Sequence, residues 1–325
     1  MKCPLQLDRR DFLAASAAAG AGLLCAGPAQ AAPFKTKLYK AMIDAPTEEA
    51  LKRYKDAGFH GIETSLWNTT PDEAAEAHET ADKLGMKIHS VLFGWANFNS
   101  PKEAQVAQDI ENVKTALRAS KAYGASALLL VPCRTGVTPI PKPWDFRIRF
   151  DEKTGHVTQV VEGDNSPYRA YIEAQNLATD ASRKAVEQLI PVAEKTGVII
   201  ALENVWNNLW VKPAFFAHFV ASFKNPWVRA YFDIGNHVRY APPEEWIRAL
   251  GKLIVKFHVK DFKLDPTHKK QQGGDWVRIR DGSVNWPAVR EEIDKTGYNG
   301  FLTIEDGGLS LAEFSQRLDL IIAGK

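Results

Sequence analysis

The chain has 325 residues, of which 45% are hydrophobic and 25% charged, and its formal net charge is +2. This is globular composition with ample material for a large core. The near-neutral balance leaves no basic footprint for nucleic acid and no charge bias toward a membrane surface.

The first segment stands apart. Asp8-Arg9-Arg10-Asp11-Phe12-Leu13 precedes an apolar Ala/Gly/Leu stretch that ends at Ala29-Gln30-Ala31, an A-x-A cleavage pattern before Ala32. Paired arginines followed by Phe-Leu resemble a twin-arginine export signal. The expectation is a cleavable signal over residues 1–31, a partnership with the twin-arginine export machinery, and a periplasmic or secreted mature chain of residues 32–325. The apolar stretch is short and Gly-rich for a membrane span, so stable insertion is not expected. Cys3 and Cys25 fall in this leader. Only Cys133 remains beyond it, which excludes an intramolecular disulfide.

Beyond the leader, strand-like and helix-like segments alternate. Lys37–Ile43 reads as a first strand. Pro46-Thr47-Glu48-Glu49 opens a helix, with Thr47 as N-cap and Gly58 as its stop. His60–Thr64 is a second strand, and Pro71-Asp72-Glu73 starts a helix that ends at Gly85. Lys87–Phe93 is a third strand, 101–123 a helix, and Ala127–Val131 a fourth strand. Residues 132–167 carry five prolines and are too long for an ordinary connection. Within them, 147–151 and 156–161 read as a small hairpin.

Residues 170–196 form the next helix, and 198–203 the fifth strand. A helix over 213–223, a strand over 228–233, a helix over 243–250 and a strand over 253–258 follow. A polar loop, 263–283, leads to a helix at 286–296, an eighth strand at 301–305 and a last helix at 310–322. Eight strand–helix units predict a single (β/α)8 TIM barrel. A doubly wound open sheet is disfavoured, because no Gly-rich phosphate turn follows the first strand.

The last four strands each end on a potential metal ligand. They read VIIALE to Glu203, VRAYFD to Asp233, LIVKFH to His258 and FLTIE to Glu305. Short apolar runs without alternation fit parallel strands buried on both faces. Their C-terminal ends open at the barrel mouth, where chemistry resides. One carboxylate or imidazole after a strand is most often a helix cap or a surface charge. Four on successive strands can hold one hard or borderline divalent ion.

The flanking phrases sharpen this. Glu203 continues as Asn204-Val205-Trp206-Asn207, Asp233 as Ile234-Gly235-Asn236-His237, and Phe257-His258-Val259-Lys260-Asp261 spans the seventh strand end. These segments resemble the xylose isomerase-like barrel superfamily of sugar and sugar-phosphate isomerases and epimerases. The resemblance implies a metal quartet of Glu203, Asp233, His258 and Glu305, loaded with Mn2+ ahead of Mg2+, Co2+ or Zn2+. It also implies that Glu203 and Glu305 act as paired acid and base on opposite faces of the substrate. Proton abstraction beside a carbonyl creates an enediolate, whose charge a divalent ion stabilises.

Further candidates surround the quartet. Lys260 lies two residues after His258 and shares its direction if the strand continues. It could serve an oxyanion or a proton, or pair with Asp261 or Asp306 at the rim. His237 is a substrate-binding candidate. Asn236 stands where the resemblance places a histidine. Glu63 ends the second strand and could face the site. His89 is mid-strand, either a barrel-interior histidine or a substrate contact. Trp67, Trp95, Trp206 and Trp210 follow predicted strand ends, and aromatic faces there suit the C–H faces of sugar rings.

The endonuclease branch of the superfamily needs more histidines than Leu130-Val131-Pro132-Cys133 supplies. The expected function is therefore a divalent-metal-dependent sugar isomerase or epimerase. An exported lyase acting on a keto glycoside uses the same proton abstraction. A sugar-binding barrel without turnover is the alternative of a different class. The two long loops would suit a larger substrate, a lid or a homo-oligomer contact.

Overall fold

The computed structural model describes residues 34–325. The expected leader, with Cys3 and Cys25, lies outside these residues. Chain order over the first half is β1 (Leu38–Ile43), α1 (Glu48–Asp56), β2 (Gly61–Thr64), α2 (Pro71–Lys83), β3 (Lys87–Trp95), α3 (Glu103–Ala122), β4 (Ala127–Val131), β5 (Arg149–Phe150) and β6 (Val157–Gln159). The second half runs α4 (Arg169–Thr196), β7 (Ile199–Glu203), α5 (Pro213–Ala221), β8 (Val228–Asp233), α6 (Pro243–Leu250), β9 (Ile254–Val259), β10 (Asp261–Leu264), β11 (Gly274–Val277), α7 (Trp286–Thr296), β12 (Gly300–Ile304) and α8 (Leu311–Ile322).

Eight strands close into a parallel barrel in the order β1-β12-β9-β8-β7-β4-β3-β2. Pairs such as Leu130↔Leu202, Asp233↔His258 and Met42↔Ile304 fix the register. Side chains of β4 divide by period two. Ala127, Leu129 and Val131 pack with Ala201 and Tyr231 inside the barrel. Leu128 and Leu130 belong to the larger core between sheet and helices. Burial on both faces explains why β4 carries no polar residue.

Helix starts follow the local chemistry. The Thr47 hydroxyl accepts from Ala50 N, and Thr70 and Glu73 cap α2 reciprocally. Ser310 accepts from Glu313 N at the start of α8. Three differences from the expected elements matter for the site. Strand β3 runs two residues further, to Trp95. Strand β12 stops at Ile304, so Glu305 is the first residue beyond it. The hairpin expected over 147–161 shrinks to β5 and β6.

The polar loop 263–283 holds a structure that composition did not announce. Strands β10 and β11 form an antiparallel hairpin, Asp261↔Val277 to Leu264↔Gly274. Gly274 sits at φ 158°, and a Cβ there would lie 2.1 Å from the Lys263 carbonyl oxygen. Only glycine permits that close approach. The root of the hairpin is gathered by one carboxylate. Asp261 accepts from Phe262 N, Arg280 N, Gly282 N, Val284 N and Trp286 Nε1, at 2.9 to 3.3 Å. A Cβ on Gly282 would lie 2.0 Å from Asp261 Oδ1. That glycine lets the backbone wrap the carboxylate.

Candidate metal centre

Glu203 and Asp233 are the last residues of β7 and β8, and His258 is the next to last of β9. One ligand atom from each of these three and from Glu305 lie within 4.8 Å of one another. His258 Nδ1 stands 3.3 Å from Glu203 Oε1 and 2.9 Å from Glu305 Oε2. Lys260 Nζ lies 2.8 Å from Glu305 Oε2 and 3.6 Å from Asp233 Oδ2. Lys260 therefore turns inward to the quartet. Its rim alternatives are occupied, Asp261 by the hairpin root and Asp306 by Arg278 at 2.7 Å.

Buried like charges set the electrostatics. Burial, reinforced by the charge of Glu305, raises the Glu203 carboxyl to about 7. Burial acts the same way on Glu305, but the charges of His258 and Lys260 outweigh it and hold that carboxyl at about 2. Burial works against the His258 imidazolium, yet Glu63 and Glu305 overcome it and raise its affinity for a proton well above the usual histidine range. Lys260 follows the same logic: Asp233 and Glu305 outweigh its burial and raise it.

The donor set fits a divalent ion. Asp233 Oδ1 accepts from Gly235 N at 2.8 Å and Asn236 N at 2.6 Å, while its fully buried Oδ2 has no hydrogen-bond partner. A buried carboxylate oxygen without a hydrogen bond, with only the Lys260 ammonium 3.6 Å away, beside two other carboxylates and an imidazole, is arranged to meet a cation. Three oxygens and one nitrogen do not match a thiolate-bound structural zinc site.

Behind the quartet, Glu63 Oε2 lies 2.5 Å from His258 Nε2, and Ser90 Oγ donates to Glu63 Oε1 at 2.7 Å. Glu63 is completely buried. It was a candidate to face substrate; instead it faces the outer nitrogen of a ligand-type histidine and leaves Nδ1 toward the other three. His89 is likewise not at the mouth. It is buried, stacks on Phe301 at 4.3 Å and shares a hydrogen bond with Thr303, the register partner of His258. His89 is the barrel-interior histidine.

His237 turns away from the site. Its Nε2 lies 2.9 Å from the Val205 carbonyl oxygen, and its ring packs against Tyr240 and Trp246. Burial depresses its pKa to about 3, so the ring is neutral. The substrate role expected of it is corrected: the backbone turn held by Asp233 Oδ1 carries it into the helix layer. Asn236 is buried beside Glu203 and Asp233. Its Nδ2 donates to Asn204 O at 3.0 Å and lies 3.5 Å from Glu203 Oε1, so it braces the carboxylate.

The tryptophans separate. Trp210 is core, stacked on Phe219 at 4.1 Å, and Trp67 packs on Phe93 at 4.9 Å. Trp95 is exposed, with the Arg134 guanidinium 4.7 Å above its ring. Trp206 is half-buried, with Arg239 at 3.7 Å on its ring and Trp276 at 5.0 Å. Trp276 was not a sequence candidate. Its signal was the Gly273-Gly274 pair before Asp275-Trp276-Val277, a turn-and-strand pattern inside a segment taken as loop.

The sequence matches the family described as xylose isomerase-like TIM barrel over residues 51–318. The chain belongs to that family. Among solved structures, a xylose isomerase domain protein from Planctomyces limnophilus is similar with a TM-score of 0.63 at 15% identity, over 89% of this chain and 97% of that one. The 3-keto-D-glucoside 4-epimerase of E. coli gives 0.62 at 15% identity, over 88% and 99%. A D-tagatose 3-epimerase-like protein gives 0.64 at 17%, over 87% and 98%. At these identities the likeness carries the fold. Among curated proteins, an uncharacterised protein of Methanocaldococcus jannaschii is 25% identical over 146 residues, 43% of this chain. The chain spans about half, 47%, of that relative's length. In this xylose isomerase-like barrel, the four strand-end residues sit together at one end of β7, β8, β9 and β12. Other solved structures similar in fold include a D-psicose 3-epimerase and an L-ribulose 3-epimerase.

Proposed function

We propose that the protein is a divalent-metal-dependent sugar isomerase or epimerase that moves a proton at a carbon beside a carbonyl. The observation that carries this reading is the pair Glu203 and Glu305, two carboxylates from different strand ends that both approach His258 Nδ1, at 3.3 and 2.9 Å. Glu203, Asp233, His258 and Glu305 would hold one ion, with Mn2+ ahead of Mg2+, Co2+ or Zn2+. When bound, the ion supplies Lewis acidity to the carbonyl and its neighbouring hydroxyl.

The chain's own residues do the rest. One glutamate removes the proton and the other returns one from the opposite side. Return to the same carbon inverts it; return to the neighbouring carbon moves the carbonyl. Lys260, charged and bonded to Glu305, faces the negative charge that develops on oxygen. Asn236 keeps Glu203 in place. The export reading of residues 1–31 adds a compartment, periplasmic or secreted, and with it a free rather than phosphorylated sugar.

The test is solvent exchange. Purified protein with Mn2+ is incubated with a panel of free and keto sugars in D2O. Deuterium entering a substrate carbon without cleavage supports the proposal. Release of an aglycone moves the assignment to a lyase on a keto glycoside, a reading that the cavity beside Glu305 described below favours. Binding without any exchange would make the barrel a sugar-binding module. Residence after export is checked by fractionating cells that express the full chain.

A further inference from the structure

A cavity of 660 Å3 opens beside the quartet. Its inner wall is Lys260 and Glu305. Its outer wall is Lys263, Trp276, Val277, Arg278, Asp281 and Asp306. The size lies within the roughly 300–1,000 Å3 of small-molecule sites. Glu203 does not line it. A substrate carbon attacked between Glu203 and Glu305 therefore sits to one side, and the cavity receives whatever is attached to that sugar.

The wall is built rather than incidental. The β10–β11 hairpin that supplies it is rooted at Asp261, as described above. Its return strand is pinned to the end of β12, with Arg278 Nη1 at 2.7 Å and Ile279 N at 3.0 Å from the Asp306 carboxylate. Trp276 is 44% exposed, and its ring leans on Trp206 and Phe262 at 5.0 and 5.2 Å. A large indole held open to solvent on a fixed hairpin offers a flat apolar platform.

Charge decides which ligand suits it. Three cations line the cavity, Lys260, Lys263 and Arg278, and three carboxylates match them, Glu305, Asp281 and Asp306. Arg278 and Lys260 are already paired with Asp306 and Glu305. Asp281 is held by Arg317 at 2.8 Å, so of these lining cations Lys263 alone has no ion pair among the described residues, and one exposed lysine does not make a phosphate or uronate site. Interleaved donors and acceptors around an aromatic face match the hydroxyl groups and C–H face of a neutral sugar ring.

We propose that this cavity is a second-ring subsite, so that the substrate is a neutral glycoside whose reacting sugar sits at the quartet and whose attached ring stacks on Trp276. This rests on the proton-transfer reading of the quartet.

The test pairs substrates with variants. Full-length Mn2+-loaded protein is given D-fructose and a panel of neutral keto-disaccharides that includes maltulose. Binding is followed by calorimetry, and turnover by deuterium exchange. The expected result is tighter binding of a disaccharide than of fructose. In Trp276→Ala, the ratio of disaccharide to fructose kcat/KM should fall at least tenfold, through KM. Trp276→Phe, which keeps a flat ring, should restore most of it. An unchanged ratio in Trp276→Ala, or no panel disaccharide that outbinds fructose, overturns the subsite. If wild type binds both sugars but exchanges neither, the proton-transfer reading fails. The loss of disaccharide affinity in Trp276→Ala, read by calorimetry, then still decides the subsite.

Discussion

Glu63 Oε2 stands 2.5 Å from His258 Nε2, and neither side chain has any exposed surface. A carboxylate behind a ligand-type histidine fixes which ring nitrogen carries the proton and which faces the ion. Glu63→Gln keeps the size and weakens that hold. Divalent-ion affinity should fall about 10- to 100-fold, measured by competition against a fluorescent chelator. An unchanged affinity would mean that packing alone orients His258.

Loading an ion has a proton cost. Burial disfavours charge on His258, but Glu63 and Glu305 reverse that and keep it protonated. A nitrogen ligand must be deprotonated, so binding expels a proton and weakens on acidification. Titration of Mn2+ in two buffers of different ionisation enthalpy should show proton release. Chelator should also lower Tm, since an ion at about 100 times its Kd adds about 2.7 kcal/mol to the folded state.

Glu203→Gln and Glu305→Gln each keep the size of the side chain and remove its capacity to take up and return a proton beside His258 Nδ1. Solvent exchange should drop by about 10²- to 10⁴-fold in both, the usual worth of a positioned acid or base. Calorimetry on the same samples separates lost chemistry from lost ion. Near-normal exchange in either variant would sink the paired acid–base assignment.

His237 makes a prediction about acid stability. Burial depresses its pKa from 6.5 to about 3, so the unfolded chain binds a proton that the folded chain refuses. Stability should be full above pH 6.5 and fall as pH drops from there toward 3. The span corresponds to about 4–5 kcal/mol. Urea unfolding of wild type and His237→Phe across pH 4 to 7 checks it. The variant should show a shallower pH slope.

Asp261 collects five donors at the hairpin root, so its loss leaves several buried N–H groups unmet. Asp261→Ala should cost about 3 kcal/mol, two charge-accepted bonds at about 1.5 kcal/mol each being the least it loses. Denaturant titration measures this. Hydrogen exchange should show the amides of Arg280, Gly282 and Val284 losing protection.

Much of the architecture was legible because parallel strands write themselves as short apolar runs, and VIIALE or VRAYFD permits few other assignments. The strand-end quartet was legible because four ligand-type residues recur at the C-terminal ends of successive barrel strands. What escaped was orientation. His237 lies four residues beyond Asp233, and its direction depends on a turn closed by that aspartate's own oxygen. Glu63 gave no local sign that its partner would be 195 residues away. Trp210 and Trp276 invert the expectation for tryptophans near strand ends: the first fills the core, and the second came from a segment too polar to look structured.

The root of the hairpin has one more consequence. Asp261 is the immediate neighbour of Lys260, so a single peptide bond joins the anchor of the rim to the ammonium that touches Glu305. Whatever presses on the hairpin tugs the same backbone that aims that ammonium. If the rim receives a second ring and the centre moves a proton as proposed above, a poorly fitting guest would be penalised in turnover as well as in affinity.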